Sequence, residues 1–259
     1  MLSPAAAVIV RDLGLAGSIV GRHGFDLALD AKLPVCGDQA GVDYEALLRV
    51  APSHIVTEWG AREAPARLGT LAGENGWKMQ DIRLHTLADI AVQTRGLAAF
   101  LAPEDADVRA KADAIAAKFE TLASGPSADQ PLRFAALGRV LVLVGVSPVG
   151  ALGPRSCHGQ IVRGLGCELA IAEGPDYAVL TREDVLKLDP GVMVFLRGAG
   201  DAKNTGAAAD PFAPLRGLPI AALTRQRTIV IDDPLCQLPA TSLVRVAEEI
   251  EKRLIEWQK

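Results

Sequence analysis

Several kinds of residue and motif are scarce in this chain of 259 residues, and each scarcity excludes a class of function. Aromatic residues make up only 4% of it, too few for the stacking surfaces of single-strand nucleic-acid binders. The net charge is −4, so there is no broad basic field for nucleic acid or an anionic membrane. No apolar run reaches the roughly 20 residues that span a bilayer. The composition predicts a globular protein with no nucleic-acid partner.

Cysteine pairs and catalytic motifs are also missing. The four cysteines lie far apart without a Cys-x-x-Cys pair, which argues against a disulfide framework or a structural zinc site and leaves one disulfide open. There is no G-x-S-x-G, P-loop, strand-linked G-x-G-x-x-G or H-E-x-x-H motif, so we expect no enzyme activity. The start, "MLSPAAAVIVRDLG", lacks the positive region of a signal peptide.

What the chain does have is a regular alternation of short apolar runs and helix-length segments, which is typical of a mainly parallel sheet built from βα units. Strands are predicted at 18–21, 33–36, 54–58, 78–83, 139–144, 168–171, 192–196, 219–223 and 228–232. Helices are predicted at 5–13, 44–50, 64–75, 86–101, 159–165, 182–188 and 240–257. A longer helix at 103–123 begins with proline and two acids, as helix N-termini favour.

Two stretches of the sequence resemble each other closely. "EALLRVAPSHIVTEWG" (45–60) matches "EDVLKLDPGVMVFLRG" (183–198) in register, 138 residues later. In the same order, "VRDLG" resembles "VRGLG", and "PARLGTLAGENGWKMQDI" resembles "PLRGLPIAALTRQRTIVI". Any βα protein repeats leucine–proline patterns, but three ordered matches favour two similar halves. We therefore predict an N-terminal lobe (1–102), a connecting helix (103–125) and a C-terminal lobe (126–259).

The order of these segments resembles the helical-backbone substrate-binding proteins of ABC importers, the cobalamin, siderophore and haem class. "LSPAAAVIVRDLGLAGSIVGR" is similar to the family's opening, and "LPVCGDQAGVDYEALL" to the segment that follows it. "LLRVAPSHIV" and "VLKLDPGVMV" resemble its paired helix–proline–strand segments, and "GPRSCHGQIVRGLG" with "YAVLTREDVL" its second-lobe pattern. One departure is that only Met1 and Leu2 stand where the family has an opening strand. The first lobe is expected either to lack a central strand or to begin upstream.

The resemblance implies a fold and a function. The fold is α/β, with two Rossmann-like lobes that have mainly parallel central sheets and are joined by one long α-helix. The function is that of a monomeric substrate-binding protein, which captures an iron siderophore, cobalamin or haem-like metal chelate between its lobes and delivers it to an ABC permease. No resident cofactor or metal is expected. The implied location is the periplasm or cell envelope, although the lack of a signal peptide leaves the cytoplasm open.

Two alternatives stay open at this point. One is a cytoplasmic enzyme on a related two-lobed scaffold, such as a tetrapyrrole metal chelatase with His23 or His158 as proton acceptor. The other is a scaffold that has lost its ligand.

The predicted ligand site follows from the position of the strands, because ligands gather beyond the carboxyl ends of parallel strands. This rule selects the loops 21–26, 57–63, 147–158, 197–200 and 233–237. The predicted ligand-binding residues in these loops are Arg22, His23, Phe25, Trp59, Arg62, Arg155, His158 and Arg197. Arginine binds carboxylates and phosphates through paired hydrogen bonds, so four such residues predict an anionic ligand. Trp59 could stack on a macrocycle or catechol, or pack against its own lobe.

Two further roles are weighed for residues of these loops. His23, Cys157 and His158 have side chains that suit iron, zinc or copper. None of them has the spacing of a helical ligand pair, so no metal ligand is predicted. The resemblance also implies an acidic residue on each lobe that docks onto permease arginines. Glu63 is the candidate in the first lobe, and the second lobe has none assigned.

Overall fold

Helices and strands alternate along the computed structural model, which describes residues 1–60, 63–127, 131–146, 148–199 and 210–259. The helices are α1 (Pro4–Asp12), α2 (Tyr44–Val50), α3 (Ala66–Asn75), α4 (Leu87–Leu101), α5 (Ala106–Ser124), α6 (Cys157–Gly164), α7 (Arg182–Leu188), α8 (Ala221–Thr224) and α9 (Leu243–Trp257). The strands are β1 (Arg22–His23), β2 (Val35–Asp38), β3 (Gly41–Val42), β4 (His54–Thr57), β5 (Lys78–Asp81), β6 (Val140–Val146), β7 (Val149–Leu152), β8 (Tyr177–Leu180), β9 (Val192–Arg197) and β10 (Thr228–Asp232). Short 3₁₀ turns occur at Ala16–Ser18, Ala135–Leu137 and Ala213–Leu215.

The chain divides into two compact units. Unit 1 contains Met1–Leu84, Asp89–Ala117 and Leu238–Thr241, and unit 2 contains His85–Ala88, Lys118–Gln237 and Ser242–Lys259. Helix α5 passes from unit 1 into unit 2 between Ala117 and Lys118. This point lies inside the helix predicted to connect two lobes.

Unit 1 is built on short strands. Strands β4 and β5 pair in parallel, β1 pairs in parallel with β2, and β3 lies antiparallel to β2. Leu2 forms one parallel bridge with Thr57, and its N–H donates to the Val56 carbonyl oxygen at 2.8 Å. Ser3 is the N-cap of helix α1, and its hydroxyl accepts from the Ala6 N–H.

Unit 2 contains one five-stranded sheet in the order β10-β9-β6-β7-β8. Strands β10, β9 and β6 are parallel, whereas β7 and β8 extend the sheet as antiparallel strands. All six residues of β9, "VMVFLR", are buried, as expected of a central parallel strand covered on both faces. Four of the seven strand pairs in the described residues are parallel. The predicted α/β class with mainly parallel sheets is confirmed.

The repeated sequence has the same backbone in both units. Helices α2 and α7 and the starts of β4 and β9 occupy equivalent positions of the repeat. Each helix ends in a left-handed residue that is not glycine: Ala51 has φ 42° and ψ 63°, and Asp189 has φ 40° and ψ 61°. A proline follows each of them. The two copies therefore form one local structure, a helix that stops sharply before a buried strand.

Two of the predicted elements are wrong in kind. The segment 219–223, predicted as a strand, contains the helical turn α8. It is helical because the Ala221 N–H donates to the carboxylate of Asp189 at 2.8 Å, while Ile220 and Ala222 are buried in the core of unit 2. The predicted loop 147–158 contains strand β7, which pairs with both β6 and β8. Reversal of the chain at this hairpin makes the strand antiparallel.

Other predicted strands differ in extent. In the predicted strand 18–21, Ser18 is the last residue of a 3₁₀ turn. Strand β1 begins at Arg22, directly after this segment. The segment 168–171 makes only one bridge, between Leu169 and Val140. Strand β8 begins at Tyr177, in a segment for which no strand is predicted. Within the described ranges, none of the helices combines the length and the hydropathy needed to cross a membrane.

Replacing Gly164 by alanine should destabilise unit 2. The new Cβ atom would lie 2.1 Å from the carbonyl oxygen of Leu122, where α6 meets α5. Because the obstacle is backbone, the two helices must separate, and we expect the free energy of unfolding to fall by about 1–3 kcal/mol. Urea-induced unfolding measures this change.

Gly69→Ala is the matched control for this substitution. Gly69 lies inside α3, and an added Cβ atom would meet nothing within 4 Å. Here alanine should raise the free energy of unfolding by about 0.4–1 kcal/mol. Equal stability of Gly164→Ala and the unchanged protein would contradict the close packing of α5 and α6.

Candidate functional site

The carboxyl ends of β4 and β5 form one edge of unit 1. Asp81, the last residue of β5, pairs in register with Thr57, the last residue of β4. Its Oδ1 atom accepts from the Thr57 hydroxyl at 2.8 Å and from the Trp59 N–H at 3.0 Å. Trp59 is half-buried and packs against the core cluster of this unit. This edge therefore holds an aromatic residue in a fixed turn.

A second loop of unit 1 follows β1 and is organised by its own polar groups. The Arg22 guanidinium donates to the carbonyl oxygens of His23 at 3.2 Å and Ala31 at 3.1 Å. Asp26 accepts from the backbone N–H groups of Ala28 and Leu29 through Oδ1, and its Oδ2 atom is buried without a partner among the described residues. Arg22 thus donates to carbonyl oxygens of its own loop. Its predicted role as a ligand contact stays a prediction.

His23 and Phe25 lie next to each other in this loop, with ring centroids 5.9 Å apart. The Nδ1 atom of His23 accepts from the Phe25 N–H at 3.1 Å, so the neutral ring carries its proton on Nε2. Burial lowers the pKa of His23, and the nearby carboxylates Asp38 and Asp26 partly oppose that shift. Phe25 is 59% exposed. The loop therefore presents an aromatic ring to solvent beside a neutral imidazole.

In unit 2, three of the predicted loops meet at the carboxyl ends of β9 and β10. Arg197, the last residue of β9, is paired in register with Asp232, the last residue of β10. Its Nη1 atom lies 3.1 Å from Asp232 Oδ2. Gln237 donates through Nε2 to the Leu196 carbonyl oxygen at 2.8 Å, and His158 approaches the Cys236 carbonyl oxygen at 2.7 Å. Because His158 belongs to α6, this bond attaches the helix to the loop that follows β10.

His158 is buried and neutral. Because a carbonyl oxygen only accepts, the Nε2–H of His158 must donate to Cys236. Burial lowers the pKa of His158 to about 4, although the bond to Cys236 favours the protonated form. This histidine is therefore held by the fold as a neutral donor.

The remaining predicted contacts are placed less favourably or lie outside the described residues. Arg155 is 72% exposed and pairs with Asp176 at 3.3 Å. It follows β7, which runs opposite to the parallel strands, so the rule of carboxyl ends does not support its predicted role. Arg62 lies outside the described residues, and Glu63 is exposed. The roles of Arg62, Arg155 and Glu63 stay predictions.

The possible metal donors have internal partners. The Cys157 thiol donates to the His85 carbonyl oxygen at 3.5 Å, and the Nε2 atom of His158 is taken by Cys236. Among the described residues, no group of three or more histidine, cysteine or acidic side chains is arranged to hold a metal ion.

Cavities that lie within single units are found away from these strand ends. A cavity of about 360 Å³ in unit 1 borders the amino end of β4, where Ser53 and His54 line it. A cavity of about 510 Å³ in unit 2 borders the last turns of α5 and α6. The candidate site is therefore defined by the strand-end side chains, separately in each unit.

The structure adds residues that the sequence did not single out. The predicted strand 78–83 extends past Asp81, which places this strand-end aspartate inside the predicted strand. Asp232 ends a strand whose predicted bounds match the structure, but no signal in the sequence distinguishes it from the other acidic residues. Glu58 accepts from the Ser3 hydroxyl at 2.7 Å and links the end of β4 to the start of α1.

Comparison with known proteins gives similarity in fold. No family model and no curated protein matches the sequence. The periplasmic haem-binding protein HutB of Vibrio cholerae is similar in structure with a TM-score of 0.73 and 15% identity, over 98% of this chain and 96% of that chain. The periplasmic vitamin B12-binding protein BtuF of Vibrio cholerae has a TM-score of 0.70 and 19% identity, over 100% of this chain and 96% of that chain.

The siderophore-binding protein FhuD of Vibrio cholerae, bound to Fe³⁺-Desferal, has a TM-score of 0.68 and 16% identity, over 98% of this chain and 96% of that chain. Identities this low establish the fold alone. The resemblance drawn from the sequence is confirmed at that level: the chain has the fold of two-lobed periplasmic binding proteins of this type.

The buried His158 predicts a loss of stability in acid. The unfolded chain takes up a proton near pH 6.5, whereas the folded protein resists it until about pH 4. Stability contributed by the neutral state is therefore complete above pH 6.5 and falls as the pH drops, by about 3 kcal/mol at pH 4. Urea unfolding of wild type and His158→Gln from pH 7.5 to 4 measures the difference.

The variant should lose most of this acid dependence, because glutamine can still donate to the Cys236 carbonyl oxygen without titrating. His54→Gln is the control, since His54 is only half-buried and the variant should keep the acid sensitivity of the wild type. Identical pH profiles for the wild type and His158→Gln would show that the histidine is not buried in the neutral form.

Proposed function

We propose that this chain is a substrate-binding protein of an ABC-type importer, which captures a metal chelate and delivers it to a permease. The ligand is an iron siderophore, cobalamin or a haem-like compound. The main support is the similarity in fold over nearly the whole chain to proteins named for binding haem, vitamin B12 and a ferric siderophore. The mechanism is binding and release, without bond chemistry.

The strand-end residues of unit 1 support a ligand with a flat or apolar surface. Phe25 is 59% exposed, and Trp59 is half-buried in a turn held by Asp81. An aromatic ring held at one angle can stack on a macrocycle or catechol at small entropic cost. This proposal gives unit 1 the aromatic contacts of the site.

The strand-end residues of unit 2 support an anionic group on the ligand. Arg197 lies at the end of β9, and its guanidinium is paired with a carboxylate that is itself 60% exposed. Guanidinium groups keep their charge and bind carboxylates with directed hydrogen bonds. We assign Arg197 as the cationic contact of this unit.

The partners and location in this proposal follow from the same similarity. The three neighbours described above include two named as periplasmic proteins, and we propose a periplasmic or cell-envelope location for this chain. The exposed Glu63 is the proposed docking residue for permease arginines. We also propose that the protein is a monomer.

The enzyme alternative has no support from the site. A proton acceptor needs a free basic nitrogen near the substrate. The Nδ1 atom of His23 accepts from the Phe25 N–H, so its lone pair is already engaged. His158 keeps a lone pair on Nδ1, but the residue is buried and burial lowers its pKa to about 4, which makes it a weak proton acceptor at neutral pH.

Thermal unfolding in the presence of haemin, cyanocobalamin and ferrioxamine B tests the proposal. A ligand at 100 times its dissociation constant adds about 2.7 kcal/mol, which for a chain of this size raises the melting temperature by about 5–10 °C. We expect such a shift with at least one of the three compounds. No shift with any of them would contradict the proposed ligand class.

For the compound that binds, Trp59→Ala should weaken the affinity about tenfold, since loss of an aromatic contact removes about 1.4 kcal/mol. Trp257→Ala is the matched control because Trp257 ends α9, away from the strand ends, and its affinity should stay within twofold. Equal effects of the two substitutions would remove Trp59 from the site.

A further inference from the structure

In each unit, one parallel strand pair ends in the same arrangement, an aspartate whose side chain binds the neighbouring strand. In unit 1 the pair is β4 and β5, and in unit 2 it is β9 and β10. In both cases the second strand ends in an aspartate, Asp81 or Asp232, in register with the last residue of the first strand. The aspartate side chain then binds the end of the neighbouring strand.

In unit 1 the carboxylate holds the chain at the point where it leaves the sheet. Asp81 Oδ1 accepts from the hydroxyl of Thr57, which is only 1% exposed, and from the N–H of Trp59. Because Thr57 is fixed within β4, its bond holds the Asp81 carboxylate in place. The bond from the Trp59 N–H then attaches the backbone of Trp59 to that carboxylate. Without the carboxylate, the Trp59 N–H loses this hydrogen bond.

In unit 2 the carboxylate holds a side chain. Residues paired directly across parallel strands point to the same face of the sheet, and Asp232 lies opposite Arg197. The side chain of Arg197 is 8% exposed, and its Nη1 atom lies 3.1 Å from Asp232 Oδ2. The ion pair therefore restricts the direction of a cation at the edge of the sheet.

Trp59 and Arg197 occupy the same position of the sequence repeat, and Gly60 and Gly198 follow them. Each unit thus supports one equivalent residue with an aspartate from the next strand. We propose that Asp81 and Asp232 are positioning residues, which set the directions of Trp59 and Arg197 for ligand contact. That Trp59 and Arg197 contact a ligand rests on the proposed function. That Asp81 and Asp232 hold these two residues in place does not depend on it.

The support in unit 1 is tested by fluorescence without any ligand. In a protein with Trp77→Phe and Trp257→Phe, Trp59 is the only tryptophan. Asp81→Ala should raise the acrylamide quenching constant of Trp59 about twofold and weaken its near-ultraviolet dichroism. Asp81→Asn should leave both signals unchanged, because both hydrogen bonds in the structure go to Oδ1 and an amide oxygen can accept them.

Thr57→Val is the matched control for Asp81. It removes the hydroxyl bond to Asp81 and keeps the bond from the Trp59 N–H, so the Trp59 signals should not change. Unchanged signals in Asp81→Ala overturn the inference for unit 1. Equal changes in Asp81→Ala and Thr57→Val also overturn it, because the effect would then come from the strand and not from the turn. Circular dichroism and melting temperature check that each variant is folded.

The support in unit 2 is tested by nuclear magnetic resonance of the arginine side chains. With ¹⁵N-labelled arginine, a restrained guanidinium gives distinct Nη signals, and rotation averages them. Asp232→Ala should shift and broaden the Arg197 signals, and Asp232→Asn should restore part of the restraint. The signals are assigned with Arg197→Lys. Arg197 signals that are the same in wild type and Asp232→Ala overturn the inference for unit 2.

Haemin titration then links the support to binding. If haemin binds the wild type, Asp81→Ala and Asp232→Ala should each raise its dissociation constant about fivefold, and the asparagine variants should stay closer to the wild type. Unchanged affinity in both alanine variants refutes a role in positioning for this ligand. If haemin, cyanocobalamin and ferrioxamine B all fail to bind the wild type, the proposed function fails, while the fluorescence and resonance results still decide whether the aspartates support these residues.

Discussion

The sharp stop of helices α2 and α7 is the constraint on which the candidate site depends. Ala51 and Asp189 adopt the left-handed conformation, which disfavours non-glycine residues by about 1–2 kcal/mol. Each precedes a proline, which cannot continue a helix. Burial of the following strand offsets this strain: all six residues of β9 are buried. Because the turn fixes where each strand begins, it also fixes where Trp59 and Arg197 emerge at the opposite end.

Local signals explain which elements the sequence predicted well. The bounds of α2, α7 and β10 match the structure residue for residue. Helices α2 and α7 each have a side-chain N-cap, Asp43 or Thr181, and a proline soon after their ends. Residues close in sequence therefore determine where each helix begins and ends. The segment 219–223 failed for the opposite reason: its helical turn depends on Asp189, which lies 32 residues away in sequence. Strands β7 and β8 also depend on pairing with distant partners.

The site could be predicted in position better than in role. The rule of carboxyl ends led to Trp59, Arg197 and the loop after β10, because parallel strands bring their ends to one edge. The rule does not extend to Arg155, which follows an antiparallel strand of an unpredicted hairpin, and its role stays a prediction. The roles of Arg22 and His158 were beyond the sequence, because a side chain suited to a ligand is equally suited to a backbone carbonyl oxygen. Only the fold shows that both are committed to carbonyl groups of their own unit.

The two copies of the repeat share a backbone and differ in chemistry. Strand β9 continues two residues beyond the position at which its counterpart β4 ends. Asp232 therefore faces the side chain at the repeated position, whereas Asp81 reaches only the backbone N–H there. A backbone bond sets no requirement on the side chain, so the position in unit 1 is free to hold an uncharged ring. The ion pair in unit 2 requires a cation, so the difference in strand length accounts for an aromatic residue at this position in unit 1 and a charged residue in unit 2.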